Sequence, residues 1–163
     1  MEMTVLLREL TDNDLELVLA WRSNPEVFSA FYQQGHLGKG APTWEGHYRW
    51  WHSRYNWKRW IIQVNDGETT RDVGQVTFAQ LDNWNPEVGI LIGEVTLWGK
   101  GVGKKALSLA LDWLRNKGYE KVHTTILKGN ERAIRLHESV GFKRTGEARK
   151  MEWAYELSWI PSE

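Results

Sequence analysis

The stretch Leu97-Trp98-Gly99-Lys100-Gly101-Val102-Gly103-Lys104 limits what this chain can fold into more than any other. It joins an apolar, strand-like run, Val88 to Gly93, to a helical pattern, Ala106 to Leu114. Its glycines therefore fall where a strand hands over to a helix. A helix start presents N–H groups without intrahelical partners and the positive end of the helix dipole. Glycines let that backbone approach a phosphate with no Cβ in the way. The pattern reads as a cradle for a pyrophosphate. Two common phosphate loops fit it poorly. A P-loop has four residues between its first Gly and a Gly-Lys-Ser/Thr ending. Here Gly99 to Gly103 encloses three, and Lys105 stands where the metal-binding hydroxyl belongs. A dinucleotide fingerprint reads G-x-G-x-x-G with an acid ending the next strand. This loop reads G-x-G-x-G, and Glu120 opens its strand instead.

The rest of the chain sets the frame for that loop. At 163 residues it is expected to form one domain, 1–163, long enough for a proper core. Lys+Arg and Asp+Glu both number 21, so no basic excess points to nucleic acid. No apolar run reaches the roughly eighteen residues of a membrane span, and Met1-Glu2-Met3-Thr4 is no signal peptide. A cytoplasmic enzyme is expected. Cysteine is absent, which removes disulfides, thiolate metal sites and an acyl-cysteine intermediate.

Taken in order, Thr4 to Arg8 reads as a strand, and Thr11 to Asp14 caps a helix with Leu15, Val18, Leu19 and Trp21 on its apolar stripe. Glu26 to Phe31 suggests a further turn, Gln33 to Pro42 an exposed loop, and Thr43 caps a helix from Trp44 to Tyr55. Trp60 to Val64 and Val73 to Leu81 form a hairpin, and Glu87 to Gly93 is the strand entering the glycine loop. After the loop helix come a strand, Glu120 to Leu127, and a helix, Glu131 to Val140, capped by Asn130 and stopped by Gly141. Phe142 to Lys150 and Met151 to Trp159 are the last strands. In the second, Met151, Trp153, Tyr155 and Leu157 alternate with Glu152, Ala154, Glu156 and Ser158. This is an α+β chain around a mixed sheet.

Two segments carry a resemblance. Trp98-Gly99-Lys100-Gly101-Val102-Gly103 resembles the coenzyme A loop Q/R-x-x-G-x-G/A of the GNAT acetyltransferase superfamily, with Trp98 in the Gln/Arg position. That replacement resembles the branch of the ribosomal-protein N-terminal and amino-sugar-nucleotide acetyltransferases. Asn130 to Phe142 resembles the superfamily's N-x-x-A-I-x-L-Y-E-x-x-G-F, with His137 in the Tyr position. The resemblance implies a GNAT-like, mostly antiparallel sheet of about seven strands flanked by helices and splayed between the fourth and fifth. It implies acetyl-CoA in the splay. The pantetheine arm would run along the backbone of Leu91, Ile92 and Gly93, and the pyrophosphate would sit on the amides of Trp98, Gly99, Lys100, Gly101, Val102, Gly103 and Lys104. Asn130 would hold the arm from the other side.

The implied reaction moves an acetyl group to a primary amine by direct attack. It needs a base for the amine, an N–H donor near Ile92 or Gly93 for the developing negative charge, and a proton for the leaving sulfur. Glu87 resembles, by its distance from the loop, a general-base Glu of the histone acetyltransferases, with a solvated strand-end Glu as the alternative. His137 is expected to supply the proton, with a buried core histidine as the alternative. The acceptor is less legible. Trp44, Trp50, Trp51, Tyr48, Tyr55 and Trp57 crowd one short region, with Trp21 and Arg22 ending the first helix. Aromatic residues on more than one helix face suggest a wall for a nucleotide base, with Arg22 or Arg54 meeting phosphate. A nucleotide-linked amino sugar is then the leading acceptor. A protein N-terminal peptide or a small amine such as an antibiotic or polyamine is the alternative, and an acyl-CoA-binding sensor is the non-enzymatic one. No membrane or nucleic-acid partner is expected, and a homodimer is one option.

Overall fold

A computed structural model of the protein describes residues 3–27, 43–53 and 56–160. The turn expected at Glu26 to Phe31 falls largely, and the loop expected at Gln33 to Pro42 wholly, outside them. The strands are β1 (Thr4–Glu9), β2 (Lys58–Asn65), β3 (Thr70–Ala79), β4 (Glu87–Ile92), β5 (Lys121–Leu127), β6 (Lys143–Arg149) and β7 (Glu152–Ser158). They form one seven-stranded sheet in the order β1-β2-β3-β4-β5-β7-β6. Every pairing is antiparallel except β4 with β5.

The helices are α1 (Leu15–Ser23), α2 (Trp44–Ser53), α3 (Val102–Asn116) and α4 (Glu131–Ser139). Strand alternation assigns them to two layers. Ile90 and Ile92 pack with Val102, Ala106 and Leu114 of α3, and with Leu136 of α4. Leu91 points the other way and joins Leu15, Val18 and Trp21 of α1, Trp51 of α2 and Ile61 of β2. So α3 and α4 cover one face of the sheet, and α1 and α2 the other.

Local chemistry sets the helix starts. The Thr11 N–H donates to Asp14 Oδ2 (2.9 Å) in the turn leading into α1, and Arg8 grips both Asp14 and Asp72 at 2.8 Å. At α2, Thr43 Oγ1 accepts from Gly46 N–H (3.1 Å). At α4, Asn130 Oδ1 accepts from Ala133 N–H (3.2 Å). Each satisfies a donor that the first helical turn leaves open.

The strand pair β4/β5 positions the site. Its ladder holds a single pair, Glu87 with His123. His123 N–H donates to Pro86 O (3.0 Å), and Thr124 Oγ1 donates to Val88 O (2.9 Å). Beyond Thr124 the strands diverge. β5 then takes β7 on its other edge, in register from Lys121 opposite Ser158 to Leu127 opposite Glu152.

The alternation read in β7 puts Trp153, Tyr155 and Leu157 on the core face of the sheet. Burial does not follow it at the start: Met151, before the strand, is 39% exposed and Glu152 only 7%. Glu152 stands opposite Leu127 and so lies on the α1/α2 face. The carboxylate is buried there beside the cavity.

Candidate functional site

A cavity of about 660 Å³ occupies the gap that opens between β4 and β5. This is within the range of small-molecule sites, about 300–1,000 Å³. Ile90, Ile92, Leu97, Ile126 and Leu136 give it apolar walls. Its lining carries both charges. Trp98, Gly99, Gly103, Lys104, Arg132 and Arg135 come from the glycine loop, α3 and α4, and Glu87, Thr124, Thr125 and Glu152 from the strands.

The glycine loop forms one wall. Gly99 (φ +78) and Gly101 (φ +83) are left-handed, and Gly101 is the N-cap of α3. A side chain is strained in that conformation. Gly103, inside the first turn, serves for space instead. A Cβ there would lie 3.3 Å from Leu136 Cδ2 and 3.9 Å from Ile92 Cγ1. The indole of Trp98 donates to Ile92 O (2.9 Å), fastening the loop to the end of β4.

Of the expected cofactor residues, Ile92, Trp98, Gly99, Gly103, Lys104 and Asn130 line the cavity. Lys100 and Gly101 are exposed on the loop, and Val102 is buried in the main core. Leu91 and Gly93 sit on its far side. Leu91 packs in the α1/α2 layer, and a Cβ on Gly93 would meet the Trp21 ring at 2.1 Å. The Gly93 N–H, expected to be available to a reacting oxygen, already donates to Val73 O (2.7 Å).

The two expected catalytic residues also line the cavity. Glu87 lies at the vertex where β4 and β5 meet. Its side chain is 41% exposed, with Oε2 3.7 Å from His123 Nε2. His137 is only 4% exposed. Its Nδ1 lies 2.7 Å from Ala133 O, so Nδ1 carries the proton and donates. Nε2 is then a bare acceptor, buried with no hydrogen-bond partner among the described residues. Burial holds the imidazole below its ordinary pKa of 6.5, against the opposing effect of the Ala133 carbonyl. The expected proton donor is thus a neutral acceptor at neutral pH.

The structure does not bring the described members of the expected aromatic wall to this cavity. Trp21 and Trp51 are 8% and 4% exposed and belong to the core between α1, α2 and the sheet. Trp51 Nε1 donates to Asp12 Oδ1 (2.9 Å). Arg22 donates to His47 Nδ1 (2.9 Å), while His47 Nε2 donates to Leu15 O (3.0 Å). Trp44 is 49% exposed beside Tyr48 and does not line the cavity. Arg54, Tyr55 and the Trp50 side chain lie outside the described residues. None of Trp21, Arg22, Trp44 and Trp51 offers a ring face or guanidinium to the cavity.

Sequence reasoning missed Glu152, Thr124 and Arg132. Glu152 had a signal, an acid at the start of a strand otherwise facing the core. Its meaning depended on β7 pairing with β5, which periodicity does not supply.

The comparisons with known proteins follow the same geometry. The sequence model of the acetyltransferase (GNAT) domain matches residues 4–143. An uncharacterized protein of Methanocaldococcus jannaschii is 51% identical over 154 residues, 94% of this chain and 31% of that protein. The chain thus spans about a third of that relative's length. The crystal structure of a domain from the same organism superposes with a TM-score of 0.89 at 50% identity, covering 96% of this chain and 99% of that one. Spermidine N-acetyltransferase from Vibrio cholerae, solved with CoA and spermine, has a TM-score of 0.77 at 17% identity, with 95% of each chain covered. At that identity the likeness is one of fold.

Proposed function

The chain belongs to the family of GNAT acetyltransferase domains, and from that premise we propose that it acetylates a small cationic amine with acetyl-CoA. The observation that carries this reading is one cavity lined both by a helix N-terminus with basic side chains and by two carboxylates, Glu87 and Glu152. A pyrophosphate suits the first group, and an ammonium suits the second. The loop passes a fit test. Gly103 leaves open the space a Cβ would fill beside Ile92 and Leu136, and the left-handed Gly99 and Gly101 open the backbone around it.

When bound, acetyl-CoA supplies an acyl group activated as a thioester. The chain's own part is to bind and to move protons. Lys104 and the α3 N-terminus hold the anionic end. Ile90, Ile92 and Leu136 exclude water from the arm. Glu87, at the vertex and open to solvent, takes the proton the acceptor ammonium must lose before it attacks. Glu152, enclosed on the acceptor face, holds positive charge on the acceptor and orients it. His137 stays neutral and off the proton path, because its Nδ1–H is committed to Ala133. The enclosed positions of Trp21 and Trp51 argue for a compact cation over a stacked nucleotide base.

The test is an acceptor panel with acetyl-CoA, read by free-thiol release and by the mass of the product. It contains linear diamines and polyamines, aminoglycosides, a nucleotide-linked amino sugar and N-terminal peptides. Turnover fastest on the multiply charged small amines is expected. Fastest turnover on the nucleotide sugar or the peptides would overturn the acceptor assignment, and release with no acceptor dependence would overturn the transferase reading.

A further inference from the structure

The exposed Arg132 stands out from the other basic residues at the cavity. Its guanidinium carbon lies 3.5 Å from the centroid of the Trp98 ring, which is face contact. Trp98 belongs to the glycine loop, and Arg132 to the first turn of α4. The stack therefore crosses the mouth of the cavity and joins the two banks that the splay separates. The Trp98 end is fixed, since its indole N–H is held by Ile92 O at 2.9 Å. A guanidinium laid on a ring is engaged through its face, and its N–H donors project from the edge. Among the described residues, no carboxylate or carbonyl accepts from those donors. Its neighbour Glu131 instead approaches Arg135, at 3.7 Å. Arg132 and Trp98 line the same cavity as Gly99, Gly103 and Lys104.

We propose that Arg132, held flat on Trp98, is a phosphate-anchoring residue that clamps the nucleotide end of the cofactor against the glycine loop. This rests on the acetyl-CoA reading above and deepens it. The loop and the α3 N-terminus offer backbone donors from one bank, and Arg132 offers a planar fork of donors from the other. A phosphate between them is gripped from both sides. The ring fixes the guanidinium before the ligand arrives, so less side-chain freedom is lost on binding. Two phosphate groups share this chemistry, the pyrophosphate and the 3′-phosphate of the ribose, and they are separable.

The experiment is calorimetric titration of the folded protein with CoA, 3′-dephospho-CoA and pantetheine, comparing wild type with Arg132→Gln. Arg132 is exposed, so the variant is expected to melt with wild type. CoA affinity should fall about tenfold or more, as for loss of charge-assisted hydrogen bonds. Pantetheine affinity should not change. If dephospho-CoA weakens by the same factor, the pyrophosphate is the group held. If dephospho-CoA becomes insensitive to the substitution, it is the 3′-phosphate. Trp98→Leu should weaken CoA more in the wild-type background than in the Arg132→Gln background, while Trp98→Phe, which keeps a ring but loses the bond to Ile92 O, should retain more affinity than Trp98→Leu. CoA affinity within about twofold of wild type in Arg132→Gln, an equal loss for pantetheine, or additive losses in the double variant would each overturn the proposal. A wild-type protein that binds pantetheine but not CoA would overturn it too. One that binds none of the three would instead remove the acetyl-CoA reading on which it rests.

Discussion

Glu87 and His137 line the same cavity, yet their surroundings assign them opposite fates. Glu87 is open to solvent and placed at the strand vertex. Glu87→Gln should lower turnover by about 10²–10⁴ while leaving CoA affinity unchanged. A loss of less than about threefold across pH would place the base elsewhere. His137→Phe should leave the alkaline limb of the rate profile where it is, because the neutral ring has no proton to give at Nε2. A shifted limb would restore the donor role. His47 shows the same burial effect on stability. It is 1% exposed, and burial, with the positive charges of Arg22 and Arg59, lowers its pKa from 6.5 to about 4. The unfolded chain takes up the proton first, so the contribution is complete above pH 6.5 and is lost as pH falls toward 4. Each unit of that separation is about 1.36 kcal/mol. Asp14 and Asp72, held below 3.8 by Arg8, act chiefly at lower pH. Melting curves at pH 7 and 4.5 should therefore show a loss that His47→Gln reduces, and an equal loss in the variant would exclude His47 as its source. At this scale the sequence was least legible. A Trp on an amphipathic helix reads alike whether its ring meets a ligand or, like Trp51, seals a core while its N–H satisfies Asp12.

Elements were legible where local chemistry decides them. The glycine loop, the Asn130 cap and the helix stripes follow from backbone needs that a single residue type meets. What lay beyond reach were contacts made by elements distant in sequence, such as the packing of α1 onto β4 that sends Trp21 against Gly93. The loop's glycines also serve different ends, and substitutions should separate them. Gly101 is left-handed, and a Cβ added there would meet nothing within 4 Å. Gly101→Ala should therefore cost backbone strain alone, about 1–2 kcal/mol of stability. Gly103 has ordinary backbone but opens onto Leu136 and Ile92. Gly103→Val should weaken CoA binding about tenfold or more through lost space, with a smaller effect on melting. Thermal melts and calorimetry on both variants check this. The same profile for the two glycines would contradict separate roles.

At the scale of the molecule, the sheet is two ladders, β1 to β4 and β5 to β7, meeting at one strand pair. The α+β class followed from the order of the elements, and the splay from the family resemblance. The narrowness of the hinge did not, since it depends on where β5 stops pairing with β4. Thr124 Oγ1, donating to Val88 O at 2.9 Å, is a side-chain bond across that junction, and Thr124 is 6% exposed. Thr124→Val keeps the shape and removes the donor, leaving the Val88 carbonyl without it. Stability should fall by about 1–3 kcal/mol, the cost of an unsatisfied buried acceptor. Amide exchange should rise at β4 and β5 before it rises at β2 and β3, since the weakened contact joins the ladders without belonging to either. A ligand seated in the splay touches both sides, so CoA at about a hundredfold over its Kd should add about 2.7 kcal/mol to wild type and variant alike. In the variant it should also suppress the extra exchange at the junction. If Thr124→Val melts with wild type and exchanges uniformly, the ladders are held together by α3 and α4, and the vertex bond carries no share of the coupling.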